Sequence, residues 1–251
     1  MKNKDKFNFS DFTHENYEAL IKIVKKYYIF SDFKNYSKFK NFMLWRHDID
    51  MSVHNALKLA DIEHKLSVSA TYFIHLHSLF YNPFEYECRE LLKKIIKLGH
   101  NIGLHFDTQF YENCNDQVKF ETLLKNEKEI LSNLVGCPIE VFSFHNPSEE
   151  IINRYSSLNY SGMINTYSSF FRNEVGYCSD SNGYWRHNRL EDVLNSNKYP
   201  CMQVLTHPIW WDKQIMSPKQ KIRKCIEQRA KETENYYDNL LDQIGRLNID
   251  W

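Results

Sequence analysis

The chain has little of several features that mark whole classes of protein. Only seven of its 251 residues are glycine, so glycine-rich loops are few, and no run of 18 apolar residues is available to cross a membrane as a helix. The six cysteines are scattered without a Cys-x-x-Cys pair, which argues against a zinc cage or a redox motif. Lys plus Arg and Asp plus Glu each total 32, so no excess of one charge points to nucleic acid or anionic lipid as a partner.

The remaining composition is that of a globular protein. The N-terminal sequence MKNKDKFNFSDF carries charges but lacks the apolar stretch of a signal peptide, which predicts a cytoplasmic protein with reduced thiols. Apolar residues make up 42% of the chain, enough for one sizeable core, and this excludes a disordered or fibrous protein. Since no linker, repeat or low-complexity tract interrupts the sequence, we expect residues 1–251 to form a single domain.

Apolar periodicity predicts strands and helices that alternate along the chain. Strands are predicted at about 42–50, 70–74, 102–105, 139–144, 158–166, 175–178 and 201–206, and helices at about 14–28, 52–64, 84–98, 117–135, 189–195 and 218–245, with a short helix after Pro147 and Ser148. This alternation indicates βαβ units and a parallel sheet, open or closed into a barrel. We expect residues 1–40 to form an N-terminal helical extension and 218–251 a C-terminal helix packed on the barrel.

Unusual polar residues fall at the ends of four predicted strands. They are His47, Asp48 and Asp50 after the first strand, His105 and Asp107 after the third, His145 after the fourth, and His207 with Trp210 and Trp211 after the last. A single histidine in such a place is usually a hydrogen-bonded structural residue. However, the carboxyl ends of parallel strands meet at one edge of the sheet, where the functional site of such folds lies. The four strand ends together therefore predict a site.

The residue types at these strand ends suit metal-dependent hydrolysis. A neutral imidazole and a carboxylate are sensible ligands for an open catalytic zinc site, which activates water. A second carboxylate can accept the proton, and another imidazole can protonate the leaving group. Asp48 and Asp50 can divide the two carboxylate tasks, because residues two apart in an extended segment point the same way.

Five strings of residues, in order, resemble the polysaccharide deacetylases, or NodB-homology carbohydrate esterases. They are RHDID (46–50), SATYFI (69–74), GHNIGLH (99–105), FSFHNP (142–147) and LTHP (205–208), and the resemblance runs from about residue 42 to 211. It implies an α/β fold, a distorted (β/α) barrel with about seven strands, that removes an acyl group, usually acetyl, from a sugar with the help of a divalent metal. By resemblance, Asp48 is the general base, Asp50 and His105 are metal ligands, and His207 is the general acid. Zinc is the expected metal, with cobalt, nickel and manganese as alternatives.

Two positions depart from the family pattern. Gln109 stands where the family has its second metal-binding histidine, and His145 stands where the family has an arginine that orients the base. We hypothesise that His145 supplies the missing imidazole; Gln109 or water would be the alternative third ligand. Arg46 or Arg186 would then provide positive charge near Asp48.

Other residues are assigned by the same resemblance. The segment SDSNGYWR (179–186) resembles an aspartate-containing motif of the family, so Asp180 is expected to orient catalytic groups and Trp185 to line the pocket. We expect Trp210 or Trp211 to lie near the ligand as well. His100 is interpreted as structural, whereas His75 and His77 could touch substrate or belong to a polar rim.

The leading prediction is a cytoplasmic deacylase for a sugar, a nucleotide sugar or a lipid-linked saccharide in surface-polysaccharide biosynthesis. Two alternatives remain open: a non-catalytic carbohydrate-binding member of the same fold, and a metal-dependent deformylase, amidase or lyase. No nucleic-acid partner and no membrane span are predicted. The sequence gives no indication of the oligomeric state.

Overall fold

The fold is described by a computed structural model that covers residues 2–112 and 114–249. Its centre is a curled, mostly parallel sheet. The strands are β1 (Ile29–Ser31), β2 (Phe42–Ile49), β3 (Thr71–Ile74), β4 (Asn101–Phe106), β5 (Val141–Phe144), β6 (Asn159–Tyr160), β7 (Met163–Asn165), β8 (Gly176–Ser179) and β9 (Met202–Thr206). They are ordered β6-β7-β5-β4-β3-β2-β9-β8, with β1 paired to the first half of β2.

Helices surround this sheet. They are α1 (Asn3–Lys6), α2 (His14–Tyr27), α3 (Val53–Lys65), α4 (Tyr86–Lys97), α5 (Gln117–Val135), α6 (Glu149–Arg154), α7 (Ser169–Asn173), α8 (Leu190–Ser196) and α9 (Pro218–Gln243). Ser52 caps α3 by accepting a hydrogen bond from the backbone N–H of Asn55, as its position before the helix predicted. Gly136 ends α5 with a φ of 78°, a conformation that glycine adopts at little cost. Among the described residues, every helix is too short or too polar to cross a lipid bilayer.

Alternation along the strands divides the buried side chains between two faces. Leu44, Phe73 and Val141 point to the concave face, where they form a small apolar cluster with residues such as Phe33. Their neighbours along the strands, such as Trp45, point to the convex face and pack against the helices in the main core. Side chains two residues apart on a strand share a face. The concave face, which is apolar at Leu44, Phe73 and Val141, therefore continues into polar residues toward the carboxyl ends of the strands.

The predicted α/β fold with a distorted barrel is confirmed, although details differ. The described residues contain nine strands where about seven were expected, because 158–166 forms two short strands, β6 and β7, that pair antiparallel, and because β1 is added. The segment 1–40 is not purely helical, since the apolar residues of β1 add a strand beside β2. Helix α7 was not predicted.

The C-terminal helix matches the predicted helix at about 218–245 and is shorter than the segment 218–251 that was expected to carry it. It ends at Gln243, and Asp250 and Trp251 lie outside the described residues. Near the start of α9, the buried Lys221 ammonium donates hydrogen bonds to the carbonyls of Phe12 and Trp210, which attaches the helix to the body of the protein. The assignment of residues 1–251 to one domain stays a prediction.

Candidate active site

The polar strand ends converge on one cleft at the carboxyl edge of the sheet. The cleft has a volume of about 600 Å³. Its lining includes Asp48 and Asp50 from β2 and the turn after it, together with His75, His105, Asp107, His145 and His207. These side chains come from five strands or the residues directly after them, as the parallel topology requires. The strand ends singled out in the sequence thus lie together in this structure, and the roles predicted for their side chains stay predictions.

Asp48 is held by a buried arginine on the same face of β2. Arg46 donates two hydrogen bonds to its carboxylate, from Nε to Oδ1 at 3.2 Å and from Nη2 to Oδ2 at 2.6 Å. Arg46 also donates to Thr166 Oγ1 at 2.8 Å and places its guanidinium over the ring of Phe73. Burial raises the pKa of Asp48, but the charges of Arg46, His105 and His207 and the hydrogen bonds from Arg46 together outweigh it, so the pKa lies below its usual range. Asp48 is therefore an oriented, ionised carboxylate.

Asp50 lies beside His105 and His145. The distance from Asp50 Oδ1 to His105 Nε2 is 3.2 Å. One donor atom from each of the three residues lies within 4.8 Å of the other two. The other nitrogen of His105, Nδ1, shares a hydrogen bond of 2.7 Å with Ser143 Oγ, which fixes the ring. Burial raises the pKa of Asp50, but the neighbouring imidazoles lower it further, so this carboxyl too is ionised.

The donor atoms of this group fit a divalent cation. Within the described part of the chain, Asp50 Oδ1 and His145 Nδ1 are buried and have no hydrogen-bond partner. Buried polar atoms without partners are costly, and an ion bound between them would remove that cost. Oxygen and imidazole donors are also the ligands that zinc and similar cations accept.

His75 and Asp107 lie beside this group. Asp107 Oδ2 is 3.2 Å from His145 Nδ1 and 3.5 Å from His75 Nε2, although neither approach has hydrogen-bond geometry. His75 is only 5% exposed. Burial lowers the pKa of His75, which favours the neutral ring that a metal requires. Sequence reasoning left His75 undecided between substrate contact and a polar rim, and its parity with Phe73 on β3 is the signal that places it in the cleft.

His207 follows β9, which flanks β2 on the side away from β3, and is held by Asp180. Its Nδ1 shares a hydrogen bond of 2.6 Å with Asp180 Oδ1, and its Nε2 points toward Asp50 Oδ2 at 3.7 Å. Asp180 also accepts a hydrogen bond of 2.9 Å from Trp211 Nε1. Burial lowers the pKa of His207, but the charge and hydrogen bond of Asp180 raise it to about 9. The expected orienting position of Asp180 agrees with these contacts.

The expectation for Trp185 is not met. Its ring packs on Phe12 at 5.0 Å and its Nε1 donates to Asp11 Oδ2 at 2.8 Å, because the turn at residues 181–183 directs it away from the cleft. Trp210, in contrast, lines the cleft.

The alternatives that the sequence left open are also placed. Gln109 Nε2 donates to the carbonyl of Asn146 at 3.2 Å, while His145 belongs to the potential ligand group. Of the two candidate arginines, Arg46 contacts Asp48, whereas Arg186 lines the wall of the cleft.

His47 and His100 face away from the cleft. His47 shares hydrogen bonds with Glu63 Oε1 at 2.6 Å and with Thr206 Oγ1 at 2.6 Å. Glu63 also accepts a hydrogen bond of 2.6 Å from the hydroxyl of Tyr72. His100 shares a hydrogen bond with the carbonyl of Ala60, which agrees with a structural interpretation. This polar network lies on the convex face, between the sheet and its helices.

Comparison with known proteins gives matches among solved structures alone. No protein-family model and no curated protein matches the chain. A pseudoenzyme of carbohydrate esterase family 4 from Bacillus anthracis is similar, with 15% identity over 75% of this chain and 62% of that one, and a TM-score of 0.48. A family 4 acetyl xylan esterase from Clostridium thermocellum, in complex with a cobalt ion, has 12% identity over 76% of this chain and 84% of that one, with a TM-score of 0.45.

A polysaccharide deacetylase from Bacillus cereus is similar as well. It has 16% identity over 77% of this chain and 89% of that one, with a TM-score of 0.43. The chain spans between 62% and 64% of the length of the Bacillus anthracis structures it matches. These structures carry the description of the family that the five sequence strings resemble, and membership of this chain in that family stays a prediction.

Proposed function

We propose that the chain is a divalent-metal-dependent deacylase that removes an acyl group, acetyl in the first instance, from a carbohydrate. One observation carries the proposal: two buried donor atoms without a hydrogen-bond partner among the described residues, Asp50 Oδ1 and His145 Nδ1, lie in the same cleft as an arginine-held Asp48 and an aspartate-held His207. A potential metal group, a base and an acid thus share one cleft. Zinc is the expected metal, and an amino sugar, a nucleotide sugar or a lipid-linked saccharide is the proposed substrate.

In this mechanism Asp50, His105 and His145 hold the cation. A divalent cation there supplies Lewis-acid polarisation of the acyl carbonyl and a lowered pKa for adjacent water. Asp48 accepts the proton of the attacking water, and the two hydrogen bonds from Arg46 keep it ionised and aimed into the cleft.

The leaving group receives its proton from His207. The pKa of about 9 keeps the ring of His207 protonated at neutral pH, so it can donate a proton from Nε2 to the departing amine or alkoxide. Asp180 fixes the ring by accepting a hydrogen bond from His207 Nδ1, which leaves Nε2 as the nitrogen that faces the cleft. Both oriented groups are features that a binding protein would not need, and they favour catalysis over the non-catalytic alternative.

The test separates the metal ligand from the base. Asp50→Asn should lose turnover and the zinc ion that the parent chain holds with Asp50 and His105, whereas Asp48→Asn should keep that ion and turn over about 10²–10⁴-fold more slowly than the parent chain. Asp61→Asn, at an exposed position on α3, is the matched control and should behave as the parent chain does. Metal content is measured by plasma mass spectrometry, and rates are measured on acetylated and formylated amino sugars and on acetyl esters.

Two outcomes would contradict the proposal. The first is an Asp48→Asn chain that keeps the full rate on a substrate the parent turns over. The second is a zinc-loaded parent chain that releases no acyl group from any substrate of the panel. A preference for the formylated sugars would correct the acyl group while leaving the residue roles intact.

A further inference from the structure

The cleft contains a second group of potential metal ligands beside the one used above. His75 follows β3, Asp107 follows β4 and His145 follows β5, and one donor atom from each lies within 4.8 Å of the others. Asp50 and His105 are not members of this group, and His75 and Asp107 are not members of the first. His145 belongs to both.

The spacing within this second group is that of ligands around one ion. Two atoms bound tetrahedrally to zinc at about 2.0–2.1 Å lie about 3.3 Å apart. His145 Nδ1 and His75 Nε2 are 3.2 Å and 3.5 Å from the same oxygen, Asp107 Oδ2. The corresponding distance in the first group, from Asp50 Oδ1 to His105 Nε2, is 3.2 Å.

Two of the three donor atoms of the second group are also buried without hydrogen-bond partners. Neither His75 Nε2 nor His145 Nδ1 has a hydrogen-bond partner within residues 2–112 and 114–249. The other oxygen of Asp107, Oδ1, accepts a hydrogen bond of 2.8 Å from the backbone N–H of Gln109, so the carboxylate is held with Oδ2 toward the two rings. The backbone N–H of His75 donates to the hydroxyl of Tyr81 at 3.0 Å, which fixes the main chain from which this ring projects.

We propose that His75, Asp107 and His145 form a second divalent-cation site, adjoining the site of the proposed function. The second site is built on β3, β4 and β5, whereas the first is built on β2, β4 and β5. Because His145 Nε2 is paired with Asn146, both groups would use His145 Nδ1, and an ion in one site would exclude an ion from the other. The second site is therefore tested most clearly when the first is disabled. The proposal concerns ion binding and does not require that the chain be a deacylase.

The experiment measures cobalt binding by a chain that lacks two ligands of the first site. Asp50→Asn/His105→Ala should still bind one Co²⁺ per chain in equilibrium dialysis, with the intense visible absorption of a tetrahedral ion. Adding Asp107→Asn or His75→Ala to this background should weaken binding by about 100-fold or more. Adding His187→Ala instead, at an exposed position outside both groups, should leave binding unchanged.

Circular dichroism first establishes that each variant is folded. If the double variant does not fold, Asp50→Asn alone, which replaces a single oxygen, takes its place with the same expectation. A folded first-site variant that binds no cobalt would overturn the proposal, and so would binding that survives removal of both Asp107 and His75. Activity is not read in this experiment, so its failure is distinguishable from the failure of the proposed function.

Discussion

Gly103, in the middle of β4, offers a sharp test of how tightly the concave face is packed. A Cβ atom at this position would lie 2.5 Å and 2.6 Å from two ring carbons of Phe73 and 3.1 Å from Val141 Cγ1. The Phe73 ring is fully buried, with Phe33 edge-on at 5.9 Å and the Arg46 guanidinium 5.1 Å from its centroid. The ring therefore has no space into which it could retreat.

Gly103→Ala should accordingly destabilise the protein through overpacking. Inserting a methyl group into such a core costs about 1–3 kcal/mol. For a chain of this size each kcal/mol lowers the melting temperature by about 2–4 °C, so we expect a decrease of about 2–12 °C. Thermal unfolding followed by circular dichroism, with urea unfolding to obtain the free energy, measures the effect.

A double-mutant cycle tests the stated cause. Phe73→Leu removes the ring carbons that the new methyl group would meet, so Gly103→Ala should cost at least about 0.5 kcal/mol less in that background than alone. Additive costs, or a single variant Gly103→Ala that melts within about 1 °C of the parent chain, would show that the backbone of β4 shifts to accommodate the methyl group and that contact with Phe73 is not the cause.

Two further predictions concern the titrating groups. Burial lowers the pKa of His207, but Asp180 raises it to about 9. Asp180→Asn should therefore lower the pKa of His207 and move the alkaline limb of the deacylase pH–rate profile to lower pH. An unmoved limb would contradict the role of Asp180. Burial raises the pKa of Glu63, but His47 and its hydrogen bonds lower it overall. Glu63 therefore contributes stability that is present above its unfolded pKa and is lost as the pH falls through the folded value. Urea unfolding should show this loss in the parent chain and a flatter acid limb in Glu63→Gln, which should also cost about 1–3 kcal/mol at pH 7.

The sequence predicts the site well where strand ends carry the chemistry. Asp48, Asp50, His105, His145 and His207 are each placed by a strand, and parallel topology brings strand ends together whatever the intervening loops do. The strand boundaries follow from apolar periodicity, which reports directly on burial.

Features that do not depend on the ends of parallel strands were harder to predict. Trp185 follows a 3-10 turn in which Asn182 has a φ of 59°, and no periodic pattern reveals which way such a turn sends the next side chain. Strand β1 is only three residues long, too short for alternation to be recognised. His75 lies on the cleft side because it shares parity with Phe73, a relation that becomes informative only when the register between β2 and β3 is known.

Strand β2 assigns two separate duties to alternate residues. Arg46 and Asp48 lie on the side of the cleft, while Trp45, His47 and Ile49 face the helices. If the chain is a deacylase as proposed, a descendant that lost the activity would no longer need Arg46 and Asp48 but would still need Trp45, His47 and Ile49. Substitutions would then collect at positions 46 and 48, whereas Phe42 and Leu44 on the same face would stay fixed by their packing in the apolar cluster.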